Sequence, residues 1–403
     1  MTYAQLWTAA KTEAQRLRES EHVRAGQFYF QSCTQDIAYV VRFIALHLIG
    51  ALSDILYTTG STGKPKAVLL SEEGIVANAE NLIDAHGYHH GMVFVVCGPL
   101  DHFGSWSKML PVFKTGATLH ILDGMKDMEA LFDALRPVHS ATFLVPSAIR
   151  MMLQLNSDRL VSLADSIEFV ETGAAPMATV DIERLRELLP HTRLYNTYAS
   201  TETGIVCTYP FHLPSAEGRE GETPKPVLQG CVGPMMKHAK VSIGPEGNIS
   251  VSGPMLMAGY LNEDVEGNLQ LAPVGEMFET ADLGYLDDKG CLFLTGRSND
   301  FINVGGLKLS PVEVEDAAAG FTGIEDCICI PEPHPLMGQV PKLLLTLSEG
   351  TKFNKRELAN YLKEKLIETW KVPMRYEVVD EIRKMPNGKK NRRSYLTSCG
   401  GQP

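Results

Sequence analysis

Positive charge is in short supply in this chain. Its 37 Lys and Arg stand against 48 Asp and Glu, a formal net charge of −11 over 403 residues. Proteins that follow a phosphate backbone normally show a basic face, so no nucleic-acid partner is expected. A nucleotide site is not excluded, because it needs only a few local cations. Cysteine is sparse too: eight are scattered at 33, 97, 207, 231, 291, 327, 329 and 399, with no C-x-x-C. Cys327 and Cys329 would share one face of a strand, too close along it to bridge easily. Reduced cysteines and a cytoplasmic location are therefore expected. Long hydrophobic runs are missing. Residues 40–52 are apolar but include Arg42 and His47 and are too short to span a bilayer, so no membrane span is expected. The start of the chain is expected to be a charged helix, not a signal peptide. There is no G-x-G-x-x-G, no Gly-Lys-Ser/Thr closing a Walker loop, no repeat and no long low-complexity segment.

What is present has the texture of a globular protein, 44% apolar and 21% charged. Its length calls for two or more packed units. Strand-like runs at 93–96, 118–122, 141–145 and 167–170 alternate with helical ones at 129–135 and 180–189. That alternation predicts mostly parallel α/β layers. After Gly230 short strands at 240–243 and 248–251, cut by Gly-Pro-Glu-Gly and Ser-Gly-Pro, predict a β-rich subdomain; 221–226 reads as a surface loop. Beyond Arg297 a compact tail is expected, with strands at 328–330 and 342–347 and a helix at 355–369. In that helix Leu358, Tyr361, Leu362 and Leu366 form one stripe.

The most informative stretch is Tyr57-Thr58-Thr59-Gly60-Ser61-Thr62-Gly63-Lys64-Pro65-Lys66. A strand running into a small, hydroxylated, basic turn lets a backbone approach a phosphate closely. Glycines remove the blocking Cβ and bare N–H groups face the anion. This stretch resembles the phosphate loop of the adenylate-forming superfamily, which includes acyl-CoA synthetases, peptide-synthetase adenylation domains and luciferases; the family's final glycine is Ala67 here. Four further segments resemble that family in the same order. Glu171-Thr172-Gly173-Ala174-Ala175-Pro176 resembles the adenine-binding turn. Tyr198-Ala199-Ser200-Thr201-Glu202 resembles Tyr-Gly-x-Thr-Glu, with Ala199 for glycine. Thr280-Ala281-Asp282-Leu283 resembles Thr-Gly-Asp-Leu, followed by Gly296-Arg297 after a hairpin turn at 285–290. Pro386-Asn387-Gly388-Lys389 resembles the C-terminal Pro-x-Gly-Lys loop.

The resemblance implies a fold and a set of roles. The fold is α/β, with a large N-terminal domain (1–298) of layered α/β subdomains plus a small β-rich one, and a small mobile α+β C-terminal domain (299–403). Thr58, Thr59, Gly60, Ser61, Thr62, Gly63 and Lys66 would hold phosphates. Gly173, Ala174, Ala175, Pro176, Tyr198, Ala199 and Ser200 would hold the base, with Tyr198 stacked on it. Thr201 would contact the α-phosphate, Glu202 would ligate Mg²⁺, Asp282 would accept from the ribose hydroxyls, and Arg297 would reach ribose or phosphate. Lys389 would be the adenylation lysine, with Lys390 the alternative in a local slip. Pro99-Leu100-Asp101-His102-Phe103-Gly104 resembles the segment beside the acyl pocket. His102 is either a gate or carboxylate-orienting group or a structural histidine. Residues 298–315 resemble the hinge and following loop of CoA ligases, with Asn299 at the hinge and Gly305 and Gly306 lining a pantetheine passage.

The implied reaction joins a carboxylic acid to ATP·Mg²⁺ to give acyl-AMP and pyrophosphate, and a thiol then displaces AMP. The thiol is that of CoA or of a carrier protein's phosphopantetheine. A non-catalytic nucleotide-binding homologue is the third reading. The sequence departs from the pattern in a shorter portion before residue 57 and in Ala67, Ala199 and Ala281. The shorter portion implies a reduced first subdomain, with either a shallower acyl or CoA site or an edge that a partner chain, as in a homodimer, would cover.

Overall fold

The structure, a computed structural model, describes residues 1–50, 53–59, 65–125, 127–214, 227–264, 268–298, 300–385 and 389–396. Two helices come first. α1 (Tyr3–Ser20) opens on a capping box between Thr2 and Gln5, and α2 (Ile37–Ile49) opens on Asp36, whose carboxylate accepts the Ala38 and Tyr39 N–H groups. They pack on each other through Ala14, Leu17, Ala45 and Ile49. Then come β1 (Ser53–Thr59) and β2 (Pro65–Ser71), an antiparallel pair, and α3 (Glu72–His86), capped by Ser71 and stopped by Gly87 at φ 70°.

The central sheet consists of β3 (Val93–Val96), β4 (Thr118–Ile121), β5 (Ser140–Leu144), β6 (Ile167–Gly173), β7 (Arg193–Ser200) and β8 (Gly204–His212). Their order is β4-β3-β5-β6-β7-β8, parallel except for β8. The parallel strands thus follow the doubly wound 2-1-3-4-5 arrangement, which gathers ligand-binding turns at the carboxyl ends of the strands. Between β3 and β4 lie α4 (Phe103–Trp106) and α5 (Met109–Thr115). Later crossovers carry α6 (Met128–Ala134), α7 (Pro146–Leu155), α8 (Ser157–Val161) and α9 (Thr179–Leu188). Side chains alternate across the strands. Phe94, Phe169 and Tyr195 meet Ile75 and Leu82 of α3 and Met109 and Val112 of α5 on one face. Val95, Val170 and Leu194 meet Leu131 of α6, Ile149 of α7 and Leu185 of α9 on the other. Helices on both faces explain why the strands are apolar runs rather than alternating ones.

The β-rich part contains β9 (Cys231–Pro234), β10 (Lys240–Ile243), β11 (Asn248–Ser252), β12 (Gly259–Glu263), β13 (Leu269–Pro273), β14 (Met277–Leu286) and β15 (Cys291–Arg297). β12 and β13 extend the β1–β2 pair; the others form a sheet of their own, ordered β10-β11-β14-β15-β9. The C-terminal part is smaller and has its own core. It contains β16 (Ile302–Val304), β17 (Leu307–Leu309), α10 (Pro311–Ala319), β18 (Ile324–His334), β19 (Gly338–Leu347), α11 (Lys355–Lys365) and β20 (Arg375–Val378). The architecture is thus α/β, a large N-terminal domain with a small α+β C-terminal one. Among the described residues no helix is long and apolar enough to cross a membrane.

One expected element differs. The helix expected through 369 ends at Lys365. Leu366 turns extended (φ −92°, ψ 114°) to bury itself, and Thr369–Lys371 form a separate 3-10 turn. Ile367 and Thr369 are β-branched and favour that break. Gly305 and Gly306 (φ 59° and 95°) are the tight turn of the β16–β17 hairpin, as expected of a two-residue turn with both central φ angles positive. Seven described cysteines, Cys327 and Cys329 included, are free thiols.

Candidate active site

β6 and β7 end side by side, and their ends form the floor of the site. Gly173 sits opposite Thr197 in the β6–β7 register. A Cβ at Gly173 would lie 2.5 Å from the Thr197 carbonyl oxygen, so only glycine fits. Ala174 follows at φ 68°, a left-handed conformation unusual for alanine, and Ala174 and Pro176 are exposed while Ala175 is half-buried. β6 therefore leads into a bare backbone turn of the kind a flat base can lie against.

The β7–β8 turn is locked from within. The Ser200 and Thr203 hydroxyls are 2.9 Å apart, the Thr203 N–H donates to the Ser200 hydroxyl and the Ser200 N–H to the Thr203 hydroxyl. Gly204 closes the turn at φ 67°, where a Cβ would strike the Met255 carbonyl at 2.5 Å. Thr201 and Glu202 are left half-buried at the rim. The Glu202 backbone carbonyl accepts the Met257 N–H. Ala199, like Ala67 in β2 and Ala281 in β14, lies in extended strand, where alanine carries no backbone strain.

Asp282 on β14 and Arg297 on β15 are register partners, and Arg297 Nε meets Asp282 Oδ1 at 2.9 Å. The other carboxylate oxygen accepts the Tyr198 hydroxyl at 2.8 Å. Burial, reinforced by Asp282, pushes the Tyr198 phenol well above its ordinary pKa. Thr280 holds the bend: its hydroxyl bonds the Ile249 carbonyl and accepts the Asp282 N–H. From the β1–β2 side the Lys66 ammonium stands 4.8 Å from the centroid of the Tyr260 ring, and the Tyr260 hydroxyl donates to Glu202 Oε1 at 3.2 Å. The Thr58 hydroxyl is buried without a partner. Thr59 is the last residue of β1, and Gly60, Ser61, Thr62 and Gly63 lie outside the described residues.

The two C-terminal lysines have different surroundings. Burial draws the Lys389 pKa below the ordinary lysine range; the charge of Arg297 adds to this, and Asp282 and Glu202 oppose it. Lys389 therefore feels the same three groups that tie the rest of the site together. Lys390 instead meets Asp326 Oδ1 at 3.1 Å and Glu315 Oε2 at 3.6 Å, and donates to the Cys327 carbonyl. Three of the sequence's segments, with Lys66 of the phosphate loop, are thus linked: Lys66 to Tyr260 to Glu202, Tyr198 to Asp282 to Arg297, and Lys389 near Glu202, Asp282 and Arg297.

His102 precedes α4 and sets its first turn through its backbone, accepting the Trp106 N–H. Gly305 and Gly306 are exposed on the C-terminal domain, with the Gly305 N–H bonded to the Met337 carbonyl. Among the described residues, no hydrogen bond joins them to the cluster around Asp282 and Glu202. Asn299 and residues 386–388 lie outside the described residues.

The residues fit ATP. An orphaned Thr58 hydroxyl, a Cβ-free approach at Gly173 and a carboxylate–guanidinium pair offer acceptors, donors and room at one place. They also fit a nucleotide-borne Mg²⁺, which takes one or two protein carboxylates and completes its shell with phosphates and water. Glu202 is the carboxylate at the rim. Among the described residues one other cluster brings potential metal ligands together, His89, His139 and Glu168, at the opposite end of β6. There the Gly91 N–H donates to His89 Nδ1, so the neutral ring carries its proton on Nε2, which donates to Glu168 at 2.8 Å. A metal ligand has the reverse arrangement.

Sequence reasoning missed Tyr260, whose signal was an aromatic beside a glycine at the start of a strand. It also missed Lys108, a lone lysine among Trp106, Met109 and Leu110, and gave no role to its partner Glu171.

The AMP-binding enzyme family matches residues 51–261, and the AMP-binding enzyme C-terminal domain matches residues 313–389. Indoleacetate–CoA ligase of Aromatoleum aromaticum is 30% identical over 343 residues, covering 83% of this chain and 65% of that protein. 4-Coumarate–CoA ligase CCL1 of Humulus lupulus is 26% identical over 351 residues, covering 83% and 62%. Among solved structures, the anthranilate CoA ligase AuaEII in complex with anthranoyl-AMP superposes with a TM-score of 0.83 at 16% identity, covering 99% of this chain and 92% of that one. ATP-bound MatB from Rhodopseudomonas palustris gives 0.73 at 20%, covering 89% and 72%. The chain spans 62–65% of the length of the first curated relatives. With more than half of its residues inside the matched region, the chain belongs to the AMP-binding enzyme family.

Proposed function

We propose that the protein activates a small carboxylic acid with ATP and passes the acyl group to the thiol of CoA. The observation that carries this reading is Lys389 beside Arg297, Asp282 and Glu202. In the first step a carboxylate oxygen attacks the α-phosphorus, and the bond from that phosphorus to the bridging oxygen of pyrophosphate breaks. The products are acyl-AMP and pyrophosphate. Two anions meet in this step, and charge builds on the α-phosphoryl oxygens. A buried ammonium at that point stabilises the transition state more than the ground state. Thr201 would donate to the same phosphoryl group. Asp282 and Arg297 would hold the ribose, and the Gly173–Pro176 turn with Tyr198 would hold the base. Mg²⁺ on Glu202 would supply neutralisation of the polyphosphate charge.

In the second step the thiol sulfur attacks the activated carbonyl, the bond from carbonyl carbon to phosphate oxygen breaks, and AMP leaves with the electron pair. The names of the curated relatives, which include CoA ligases acting on aryl and dicarboxylic acids, support CoA over a carrier protein as the acceptor. The lysine loop must withdraw for this step, so the reading includes a division at 298/299, a hinge at Asn299 and an approach of Gly305 and Gly306 to the thiol arm.

The test is carboxylate-dependent exchange of labelled pyrophosphate into ATP across an acid panel, followed by thioester formation with free CoA. Lys389→Ala is expected to lower exchange by ~10²–10³ while sparing thioester formation from supplied acyl-AMP. Equal loss in both halves would overturn the division of labour. Exchange without thioester formation on free CoA would transfer the acceptor role to a carrier protein, and ATP binding without exchange for any acid would leave a non-catalytic nucleotide-binding protein.

A further inference from the structure

Lys108 and Glu171 form a deeply buried ion pair that the chemistry above does not use. Lys108 lies in the link between α4 and α5 with its side chain 2% exposed, and Glu171 on β6 is fully buried; Nζ donates to Oε1 at 2.7 Å. Ordinary packing does not call for such a pair, since apolar residues of similar volume commonly hold a core as well or better. Its surroundings are also incomplete. Glu171 Oε2 has no hydrogen-bond partner, nor has His86 Nδ1, 3.7 Å from it, nor the buried Tyr88 hydroxyl. Buried polar groups are normally satisfied, so open ones gathered together point to a ligand that completes them.

Their position says which ligand. Glu171 and Gly173 share one face of β6, two residues or roughly 7 Å apart. Phe143 and Ala199 pack on that face. α4, which follows His102, covers it closely: a Cβ on Gly104 would lie 3.0 Å from the Phe143 ring, and Lys108 Nζ stands 5.0 Å from the centroid of that ring. An acid whose carboxylate sits beside the α-phosphate, near His102 and Gly173, would reach Glu171 by running down β6 beneath α4.

We propose that Glu171 determines specificity for the acid by accepting a hydrogen bond at Oε2 from a neutral donor, a hydroxyl or an aromatic amine, at the acid's far end. Lys108 is the positioning residue that holds the carboxylate in place. The inference rests on the acid-activating reading above. A distal ammonium would face Lys108 and a second carboxylate would face Glu171, and a pair that is neutral overall gives neither a counter-ion. A hydrocarbon end would leave the Glu171 oxygen unpaired. Sites built to bond a substrate hydroxyl reject analogues without it far more strongly than apolar pockets separate homologues.

Matched acids test this: 4-hydroxybenzoate, benzoate and 4-formylbenzoate, and 6-hydroxyhexanoate, hexanoate and 5-oxohexanoate. Pyrophosphate exchange gives kcat/KM for each, and calorimetry with AMP present gives binding. The hydroxylated member of at least one series should lead its unsubstituted partner by tenfold or more. Glu171→Gln keeps shape but presents an amide N–H in place of the acceptor. It should move the preference to the formyl or oxo member by tenfold or more with AMP affinity unchanged. Lys108→Met should erase the discrimination. Wild-type activity within twofold across both series, or a Glu171→Gln variant with the wild-type ratio, would overturn the inference while leaving acid activation standing. Absence of both exchange and binding for every acid, with ATP still bound, would end both readings.

Discussion

At the scale of single residues, neighbouring side chains with the same chemistry do different work. Lys389 lies beside Arg297, Asp282 and Glu202, while Lys390, next in sequence, is anchored to Glu315, Asp326 and the Cys327 carbonyl. Replacing Lys390 with Ala leaves two largely buried carboxylates short of a partner. It should cost about 3 kcal/mol, as breaking a buried ion pair does, read as a lower urea midpoint. His86 gives a second residue-scale prediction. Burial holds its imidazole down to about 4, with Glu171 opposing and Lys108 and Arg193 adding to the shift. In the unfolded chain the ring titrates near ~6.5. Between those values the unfolded state binds a proton that the native state lacks. The contribution is therefore complete above about pH 6.5 and is lost as pH falls toward 4. Denaturation midpoints at pH 7 and pH 4.5 should fall less for His86→Gln than for the unsubstituted protein.

At the scale of elements, glycine positions show where strands and turns admit nothing larger. Gly204 combines φ 67° with a Cβ position 2.5 Å from both the Met255 carbonyl and Asn78 Oδ1. Gly204→Ala should destabilise by about 1–3 kcal/mol through strain and overpacking and weaken ATP binding by shifting Thr201 and Glu202, measurable by calorimetry. Most of this level was legible in the sequence. The α/β alternation, the hairpin joining Asp282 to Arg297 and the order of the motifs all follow from local patterns, because turn chemistry and strand periodicity are local. The Lys108–Glu171 pair was not legible, since 63 residues separate its members and only the packing of α4–α5 on β6 brings them together. Tyr260 escaped for the same reason: its role depends on β12 lying beside β2. The early end of α11 was hidden because Leu366 continues the helical stripe in sequence but reaches the core by leaving the helix.

At the scale of the whole molecule, the contacts between the two domains favour the arrangement with Lys389 in the site. Arg150 on α7 bridges Asp181 at 2.7 Å and Asp326 on β18 at 3.1 Å. Asp316 on α10 accepts the Thr179 N–H at 2.9 Å, at the start of α9, and is also bonded by Gln229. Asp326→Asn should loosen this arrangement. The expected result is slower pyrophosphate exchange, with thioester formation from supplied acyl-AMP unchanged or faster; the reverse pattern would mean these contacts serve the second half-reaction. Arg297 would tie this to the nucleotide of the proposed reaction. It ends β15, bonded to Asp282, two residues before position 299. On the proposed reading, a rotation of the chain there would pull first on the guanidinium that holds the Asp282 carboxylate. Swinging the lid and shifting the grip on the acyl-adenylate would then be one motion of one lever, so a ligase wired this way would re-seat its intermediate each time it changed half-reactions.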